Sequence, residues 1–343
     1  MRKIKIGNKL IGEEEPCFII AEVGSNHNGG LEQAKKLIDV ATEAKADAVK
    51  FQIYKAESLY SRYTPEFSYL KGQNVYELIK DIETPREWLK ELAEYCEAKN
   101  IIFLATPFDF EAVDILDKYV PAFKIASFEI TDLELLKYVA AKGKPMIIST
   151  GMANLGEVEA AITAIKSVGN EDIILLHCNS LYPTPVEIVN LKAIETMRTA
   201  FKMLVGFSDH TFGIHIPIAA VAICACVIEK HFTLDRSLPG PDHSFAIEPD
   251  ELKEMVRCIR EVEKGKGNGI KEKSELESEE MYINARRSIH ANVNIPKGTK
   301  ISRDMLIIKR PGYGIKPKFI DFVVGRRAKR DIREDEWINE DIV

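Results

Sequence analysis

Residues 203–209, "MLVGFSD", form a short apolar run that ends in Ser208 and Asp209 and is followed directly by His210. Residues 226–232, "CVIEKHF", repeat the pattern, with Glu229 and His231 at the end of the run. Short apolar runs of this kind are typical of buried strands. A single apolar run with a polar end would carry little information about function. Two such runs in succession raise the question of whether other strands of the chain also end in polar residues.

Six similar runs precede these two, and amphipathic stretches such as 31–45 and 155–168 separate them, with apolar residues three and four apart. Eight strand–helix units in about 250 residues predict a closed (β/α)8 TIM barrel with a parallel sheet. A doubly wound open sheet is the alternative, but no glycine-rich nucleotide turn follows the first run. The predicted strands are 17–23, 47–53, 101–106, 122–127, 145–150, 172–178, 203–209 and 226–232.

Composition narrows the class of protein. The chain has 343 residues, 45% of them hydrophobic, and a formal net charge of −6, which argues against a general nucleic-acid binder. No apolar run is long enough to span a bilayer, and the first residues lack the apolar core of a signal peptide. The six cysteines have no metal-finger spacing, so we expect reduced thiols in a cytoplasmic protein.

Polar residues end all eight predicted strands. In a TIM barrel the active site lies at the carboxyl ends of the strands, so these side chains should surround one cavity. A core built only for stability would not place lysines and carboxylates at one end of every strand. The residues are Glu22, Lys50, Gln52, Thr106, Lys124, Ser127, Glu129, Ser149, His177, Asn179, Ser208, His210, Glu229 and His231.

These strand-end side chains, which we call the ring, have the chemistry of an anion site. Lys50 and Lys124 lie inside apolar strands, where an unpaired cation is costly, and an anionic ligand would relieve that cost. Together with the hydroxyls of Thr106, Ser149 and Ser208, they suit a phosphate, or a carboxylate plus a phosphate.

The same ring suggests a metal site. Glu22, His210 and His231 could hold Mn²⁺, Fe²⁺, Co²⁺ or Zn²⁺, since the two histidines end adjacent strands. We expect Cys178 to point to the other face of its strand.

A second domain follows the barrel. The segment 263–280 is charged, glycine-rich and poor in apolar residues, as linkers are, and the chain then turns apolar again. We predict a barrel domain over 1–262, a linker over 263–282 and a small, mostly β domain over 283–343. The basic residues of the small domain could form a solvated face or be delivered to the barrel mouth.

Several motifs together resemble the sialic acid synthase family, and the tail resembles its antifreeze-like (SAF) domain. The motifs include "FIIAEVGSNHNGGL" (18–31), "FKIASFE" (123–129), "IEKHFTLD" (228–235) and "PGPDHSFAIEPDEL" (239–252). The resemblance implies condensation of phosphoenolpyruvate with an N-acetylmannosamine-type sugar, with release of phosphate. It also implies a divalent metal, with Mn²⁺ favoured and Mg²⁺ or Co²⁺ as alternatives. The expected assembly is a homodimer in which the tail of one chain covers the barrel of the other.

The resemblance also assigns residues. His210 and His231 match metal ligands, and Arg310 matches an arginine that reaches the acetamido group from the partner chain. Ser180 stands where the family often has asparagine, so either Asn179 or Ser180 could contact phosphoenolpyruvate. Positions matching the phosphoenolpyruvate site are Lys50, Thr106, Lys124, Ser127, Ser149 and Ser208, and those around the sugar and reacting centre are Glu22, Gln52, Glu129, Tyr182 and Asp242.

The resemblance does not decide which carboxylate transfers the proton or which sugar is the acceptor. We favour Glu129 for proton transfer and Glu22 for contacts with the sugar or metal-bound water. "LPGPDHSFAIEP" (238–249) resembles the neuraminate and legionaminate branches more than the pseudaminate branch, and we favour N-acetylneuraminate synthase. Side chains of the 54–86 connection should help to select the acceptor.

Two further classes stay open. The first is a shikimate-type phosphoenolpyruvate synthase, which would need a second phosphate site. The second is a non-catalytic sugar-binding or ice-binding protein.

Overall fold

The computed structural model describes residues 3–65 and 74–343. The chain begins with an antiparallel hairpin of β1 (Ile4–Ile6) and β2 (Lys9–Ile11), paired so that Ile4 lies opposite Ile11. The sequence had not predicted this hairpin, which is too short to show a clear alternation. Ile6 and Ile11 are fully buried, so the hairpin has an apolar surface that packs on the rest of the chain.

Eight parallel strands form a closed barrel, as predicted. The last strand pairs with the first, with Val227 opposite Phe18 and His231 opposite Glu22, and this pairing closes the sheet. The pairing places the carboxyl ends of all eight strands at one mouth. The strands are β3 (Phe18–Gly24), β4 (Ala48–Ile53), β5 (Ile102–Pro107), β6 (Phe123–Ile125), β7 (Met146–Ser149), β8 (Ile173–Cys178), β9 (Leu204–Asp209) and β10 (Val227–His231).

Two apolar clusters divide the barrel into an inner and an outer layer. Successive residues of a strand point to opposite faces, and the clusters follow that alternation: Ile20 and Leu104 lie in the inner cluster, and Ile19 and Ala21 in the outer one. The hairpin residue Ile6 belongs to the inner cluster, so β1 and β2 plug the amino-terminal end of the barrel. The polar mouth is therefore at the opposite end.

Helices cover the outside of the barrel. α9 begins at His215, and α10 ends at Lys266, inside the segment predicted as linker. No helix in residues 3–65 and 74–343 is long and apolar enough to cross a membrane. The helices are α1 (Leu31–Glu43), α2 (Ala56–Leu59), α3 (Val75–Asp81), α4 (Leu89–Ala98), α5 (Phe110–Leu116), α6 (Leu133–Ala140), α7 (Leu155–Lys166), α8 (Lys192–Phe201), α9 (His215–Ala222) and α10 (Pro249–Lys266).

The chain divides into two compact units, Met1–Gly267 and Asn268–Val343. The second unit contains α11 (Glu279–Ala285), β11 (Ser288–Ala291), β12 (Leu306–Lys309) and α12 (Ile320–Val323). Its core is its own, and it holds Ile289, Ile301, Ile332 and Ile338, all buried. The second unit is thus a small domain with a paired antiparallel sheet, as predicted for the tail.

Candidate active site

The pleat of each strand decides which polar endings face the barrel interior. On β4, Phe51 lies in the outer cluster, so Lys50 and Gln52 point inward. On β10, Ile228 lies in the outer cluster, so Glu229 points inward in the same way. Polar side chains from neighbouring strands therefore meet above the inner apolar layer.

Two lysines and two glutamates form an ion cluster in this space. Lys50 Nζ lies 2.8 Å from Glu22 Oε2 and 3.8 Å from Glu229 Oε2, and Lys124 Nζ lies 3.3 Å from Glu229 Oε1. The four side chains are at most 5% exposed. The expectation that the two lysines lack protein partners was wrong, because β3 and β10 supply carboxylates that the sequence could not place beside them. An anionic ligand must compete with those carboxylates for the two ammonium groups.

Hydroxyl groups surround the ion cluster. Lys50 Nζ donates to Thr106 Oγ1 at 3.2 Å, and Ser208 Oγ donates to Glu229 Oε1 at 3.0 Å. Ser149 Oγ is buried and has no hydrogen-bond partner among the described residues. Buried polar groups in native proteins are normally paired, so the Ser149 hydroxyl is suited to a ligand.

A second group of hydroxyls converges on Gly151. Ser127 Oγ accepts from the Gly151 amide at 3.0 Å, and a Cβ added to Gly151 would lie 2.3 Å from Ser180 Oγ. Ser180 Oγ is buried without a partner among the described residues, whereas Asn179 Nδ2 donates to Ile188 O at 3.0 Å. Of the two candidates left open by the sequence, Ser180 has a hydroxyl without any partner in the described part of the chain, whereas Asn179 is anchored through Nδ2 and keeps an unpartnered Oδ1.

Burial and the nearby lysines shift the pKa values of three carboxyl groups at the mouth, two upward and one downward. Burial raises the pKa of Glu129 to about 7, against the opposing charge of Lys124, and its Oε2 has no partner among the described residues. Burial also raises the pKa of Glu22. For Glu229 burial acts in the same direction, but Lys124 and Lys50 outweigh it and lower the pKa. Glu129 is thus a carboxyl group that can exchange a proton near neutral pH.

His210 and His231 lie side by side, with ring centroids 5.5 Å apart. His210 Nδ1 is 2.7 Å from Asn179 O, which can only accept, so Nδ1 carries the proton and Nε2 keeps a lone pair. Burial lowers the pKa of both histidines, that of His210 to about 4, so both are neutral at pH 7. His231 Nδ1 is buried without a hydrogen-bond partner among the described residues.

These two imidazoles fit a divalent transition metal, which binds neutral histidine nitrogen. Within the described part of the chain, no group of three or more His, Cys, Asp or Glu side chains is placed to hold a metal ion. A cation here would therefore take its remaining ligands from substrate or water. Glu22, proposed from sequence as a third ligand, is bound instead to Lys50 and to Gln52, whose Nε2 donates to Glu22 Oε1 at 2.8 Å.

Asp242 approaches the same histidines from the loop after β10. Its Oδ2 accepts from the Ser25 amide at 3.2 Å and from Ser25 Oγ at 3.0 Å, and it lies 3.9 Å from His231 Nδ1. Gly24 has φ of +54°, and a Cβ on it would be 2.5 Å from Asp242 Oδ2. Glycine at position 24 thus permits the close approach of the Asp242 carboxylate to the mouth.

Two residues of β8 face the opposite way from our expectation. Cys178 Sγ lies 3.5 Å from Ser127 Oγ and 3.8 Å from His210 Nδ1, so it points into the barrel. His177 points outward, where its Nε2 is 2.7 Å from Val189 O. The pleat gives the reason, because Leu176 lies in the inner cluster and the next residue must face outward.

Two predicted residues remain, Tyr182 and Arg310, and they belong to different units of the chain. The Tyr182 ring centroid is 4.2 Å from that of His210, so Tyr182 belongs to the mouth. Arg310 belongs to the second unit, where it is exposed. Of the 54–86 connection, residues 66–73 lie outside the described residues.

Glu229 is the site residue whose importance the sequence did not show. It stood in the predicted ring without a role, although it contacts both lysines and Ser208. Its position two residues before His231 was the available signal, since residues two apart share a face of a strand.

Comparison with known proteins gives a consistent result. The profile of the NeuB family matches residues 37–271, and that of the SAF domain matches residues 286–341. The chain is 44% identical to the N,N'-diacetyllegionaminic acid synthase of Campylobacter jejuni, over 94% of this chain and 99% of that protein. It is 37% identical to the human N-acetylneuraminate-9-phosphate synthase, over 98% and 95% of the two chains.

A solved structure shares the fold. The crystal structure of N-acetylneuraminic acid synthetase from Leptospira borgpetersenii in complex with citrate superposes with a TM-score of 0.75 at 39% identity. The match covers 82% of this chain and 95% of that one.

Proposed function

Because the chain belongs to the NeuB family, we propose that it condenses phosphoenolpyruvate with an N-acetylated mannose-type sugar to give a nonulosonic acid and phosphate. The observation that supports this most directly is the joint placement of Lys50, Lys124 and the pair His210–His231 at one mouth. A site that must hold an anionic three-carbon donor beside a carbonyl acceptor needs both groups.

The donor would bind over the ion cluster. Lys50 and Lys124 would contact its phosphate and carboxylate, and the hydroxyls of Ser149 and Ser180 would donate hydrogen bonds that they lack otherwise. Thr106, Ser127 and Ser208 line the same space. Because Glu22 and Glu229 already neutralise the lysines, the bound donor would have to displace these carboxylates or share the ammonium groups with them.

His210 and His231 would hold the divalent cation, for which we propose Mn²⁺, with Mg²⁺ or Co²⁺ as alternatives. When bound, such a cation supplies a Lewis acid for the carbonyl group of the open-chain sugar. The Nδ1–H of His210 donates to the Asn179 carbonyl and orients the ring, which leaves Nε2 as the atom that would bind such a cation. Asp242, held by Ser25, and the Tyr182 ring would orient the sugar beside it.

In the reaction, carbon 3 of phosphoenolpyruvate attacks the aldehyde carbon and water adds at carbon 2. Glu129 is suited to accept the proton of that water, since its Oε2 is uncommitted and its pKa is about 7. The tetrahedral carbon 2 then expels phosphate by cleavage of the C–O bond. Glu22 is less suited to proton transfer because Lys50 and Gln52 occupy both of its oxygens.

We also propose a homodimer in which the second unit of one chain covers the barrel mouth of the other, bringing Arg310 to the acetamido group. Loops at the carboxyl end of the barrel leave apolar side chains exposed, among them Phe128, Met152 and Phe212 at 59%, 79% and 57%. Apolar side chains clustered around a binding site are typical of a surface that a partner covers.

The identity of the acceptor sugar is a more specific part of the proposal. The sequence motifs favour the neuraminate and legionaminate branches over the pseudaminate branch, and our first candidate is N-acetylmannosamine, which gives N-acetylneuraminate. A second candidate is the diacetamido sugar used for legionaminate, which the higher identity with a legionaminic acid synthase favours, 44% against 37%.

Phosphate release from phosphoenolpyruvate tests the proposal. Purified protein with Mn²⁺ is incubated with N-acetylmannosamine, with 2,4-diacetamido-2,4,6-trideoxymannose, or with no sugar. We expect sugar-dependent release of phosphate, and the faster acceptor identifies the product. Release that does not depend on any sugar, or binding of sugar without release, would contradict a synthase.

A further inference from the structure

Behind the two histidines lies a second pair of side chains that the proposed reaction does not use. Asp209 directly precedes His210, and Lys230 directly precedes His231. In the ladder between β9 and β10, Asp209 and Lys230 are opposite each other, and their pairing is the last before the strands end. The two residues therefore lie directly before the two histidines, at the carboxyl ends of β9 and β10.

Asp209 and Lys230 form an ion pair on the outer face of the barrel. Ser208 and Glu229 point inward, so the next residue on each strand points outward. Lys230 Nζ lies 2.5 Å from Asp209 Oδ2, and each residue is 1% exposed. The pair is thus separated from the site by the thickness of the sheet alone.

The same pair fixes the first residues of the loop that carries His210. Asp209 Oδ1 accepts from the Thr211 amide at 3.0 Å, Asp209 Oδ2 accepts from Thr211 Oγ1 at 3.1 Å, and Lys230 Nζ donates to Thr211 O. His210 lies beyond the end of β9, where ladder hydrogen bonds with β10 no longer hold the backbone. Residues on both sides of His210 are instead held by this ion pair.

A buried ion pair is a poor device for stability alone. Removing two charges from water costs several kcal/mol per ion, and apolar residues of similar volume often stabilise a fold as well or better. An ion pair with directed hydrogen bonds instead fixes the position of the two strand ends relative to each other.

We propose that Asp209–Lys230 is a positioning pair, which holds the imidazoles of His210 and His231 at their separation and thereby makes them a metal-binding pair. The metal part of this inference rests on the proposed function. Neither residue is catalytic, because both lie on the opposite face of the sheet from the site.

The experiment compares two matched substitutions in the full-length protein. Asp209→Asn removes the carboxylate behind the histidines. Asp47→Asn removes a similarly buried carboxylate at the amino end, where Asp47 pairs with Lys9 at 2.7 Å and with Arg260 at 2.8 Å. Mn²⁺ affinity is measured by calorimetric titration, and stability by urea unfolding.

Both variants should lose stability, but only Asp209→Asn should bind Mn²⁺ more weakly, by at least about tenfold, as is found when groups that orient metal ligands are removed. Equal Mn²⁺ affinity in Asp209→Asn and the unaltered protein would overturn the inference, as would equal weakening in both variants.

A double variant covers the case in which Asp209→Asn alone does not fold. Asp209→Asn with Lys230→Met leaves no unpaired buried charge, so it should recover stability while Mn²⁺ binding stays weak. Recovery of both quantities would show that the pair is only structural.

A metal-free crystal structure of this double variant tests the geometry without the metal. We expect the two rings to leave their 5.5 Å separation, and an unchanged separation would refute the positioning role. If the unaltered protein binds Mn²⁺ no better than His210→Ala, the proposed metal site fails, and this crystal structure still decides whether the pair positions the rings.

Discussion

Both ends of the barrel bury polar and charged side chains, but they differ in how completely the buried polar atoms are partnered. At the amino end, Asp47 accepts from the Ile19 amide and pairs with Lys9 and Arg260, so both of its oxygens are bound. At the carboxyl end, Ser149 Oγ and Glu129 Oε2 are buried and have no hydrogen-bond partner within residues 3–65 and 74–343.

The difference separates stability from function within one fold. A fully paired buried charge fixes structure, and changing it should affect unfolding more than turnover. Buried polar atoms without partners destabilise the free protein, and they are retained where a ligand completes them. Three substitutions and one pH profile test this contrast, from the largest expected effect to the smallest.

Glu129→Gln should have the largest effect. Glutamine keeps the size of the side chain but cannot accept a proton, so kcat should fall by about 100-fold or more, as for loss of a general base. Phosphoenolpyruvate should still bind, because Glu129 does not form part of the lysine cluster. Steady-state phosphate release measures kcat, and calorimetry measures donor affinity. A variant with normal kcat would return the proton transfer to Glu22.

Lys124→Met should act mainly on the donor. The substitution removes one ammonium group and leaves Glu229 paired with Lys50 at 3.8 Å. A hydrogen bond to a charged group contributes about 1.5–3 kcal/mol, so the KM for phosphoenolpyruvate should rise at least about tenfold. The KM for the sugar, measured in parallel, is the control. Equal increases in both constants would indicate a distorted barrel instead of a lost anion contact.

The pH profile follows from Glu129. Burial raises the pKa of Glu129 to about 7, and a general base works only when it is ionised, so turnover should rise with pH through about 7. With that pKa in the free protein, kcat/KM at pH 6 should be about one tenth of its plateau, if the proton transfer limits the rate. Phosphate release at subsaturating phosphoenolpyruvate from pH 5.5 to 9 measures the curve. A flat profile would exclude a base with this pKa.

Lys9→Ala should have the smallest effect on turnover. Lys9 is about half exposed, with a side-chain exposure of 49%, and its partner Asp47 retains Arg260. The free energy of unfolding should therefore fall by no more than about 1 kcal/mol, and kcat should not change. Urea unfolding and phosphate release measure the two quantities. A fall in kcat would show that the amino end is coupled to the chemistry.

The strands were predictable because each is a continuous apolar run, and the predicted run 172–178 matches β8 to within one residue. The same property hid which face each residue occupies. Both sides of β8 pack against apolar layers, so the sequence shows no alternation, and an error of one residue reverses every side chain. That is why His177 was expected in the cavity and Cys178 outside it.

The pairing of side chains between strands also could not be predicted from the sequence. The partners of Lys50 and Lys124 come from β3 and β10, and the register that brings Glu22 and Glu229 beside them is set by barrel closure. The hydroxyls of Thr106 and Ser208 do lie beside the cluster of lysines and glutamates, and their positions at strand ends were enough to expect them at this mouth.

Closure of the barrel by the pairing of Val227 with Phe18 has a consequence for synthesis of the chain on the ribosome. The two strands are separated by about 200 residues, so the sheet cannot close until β10 has left the exit tunnel. Until then, β3 presents an open edge, and Lys50 and Lys124 lack the Glu229 carboxylate that β10 brings. The last barrel strand to be translated thus both closes the sheet and neutralises its interior, so the nascent chain is exposed to aggregation until β10 has emerged.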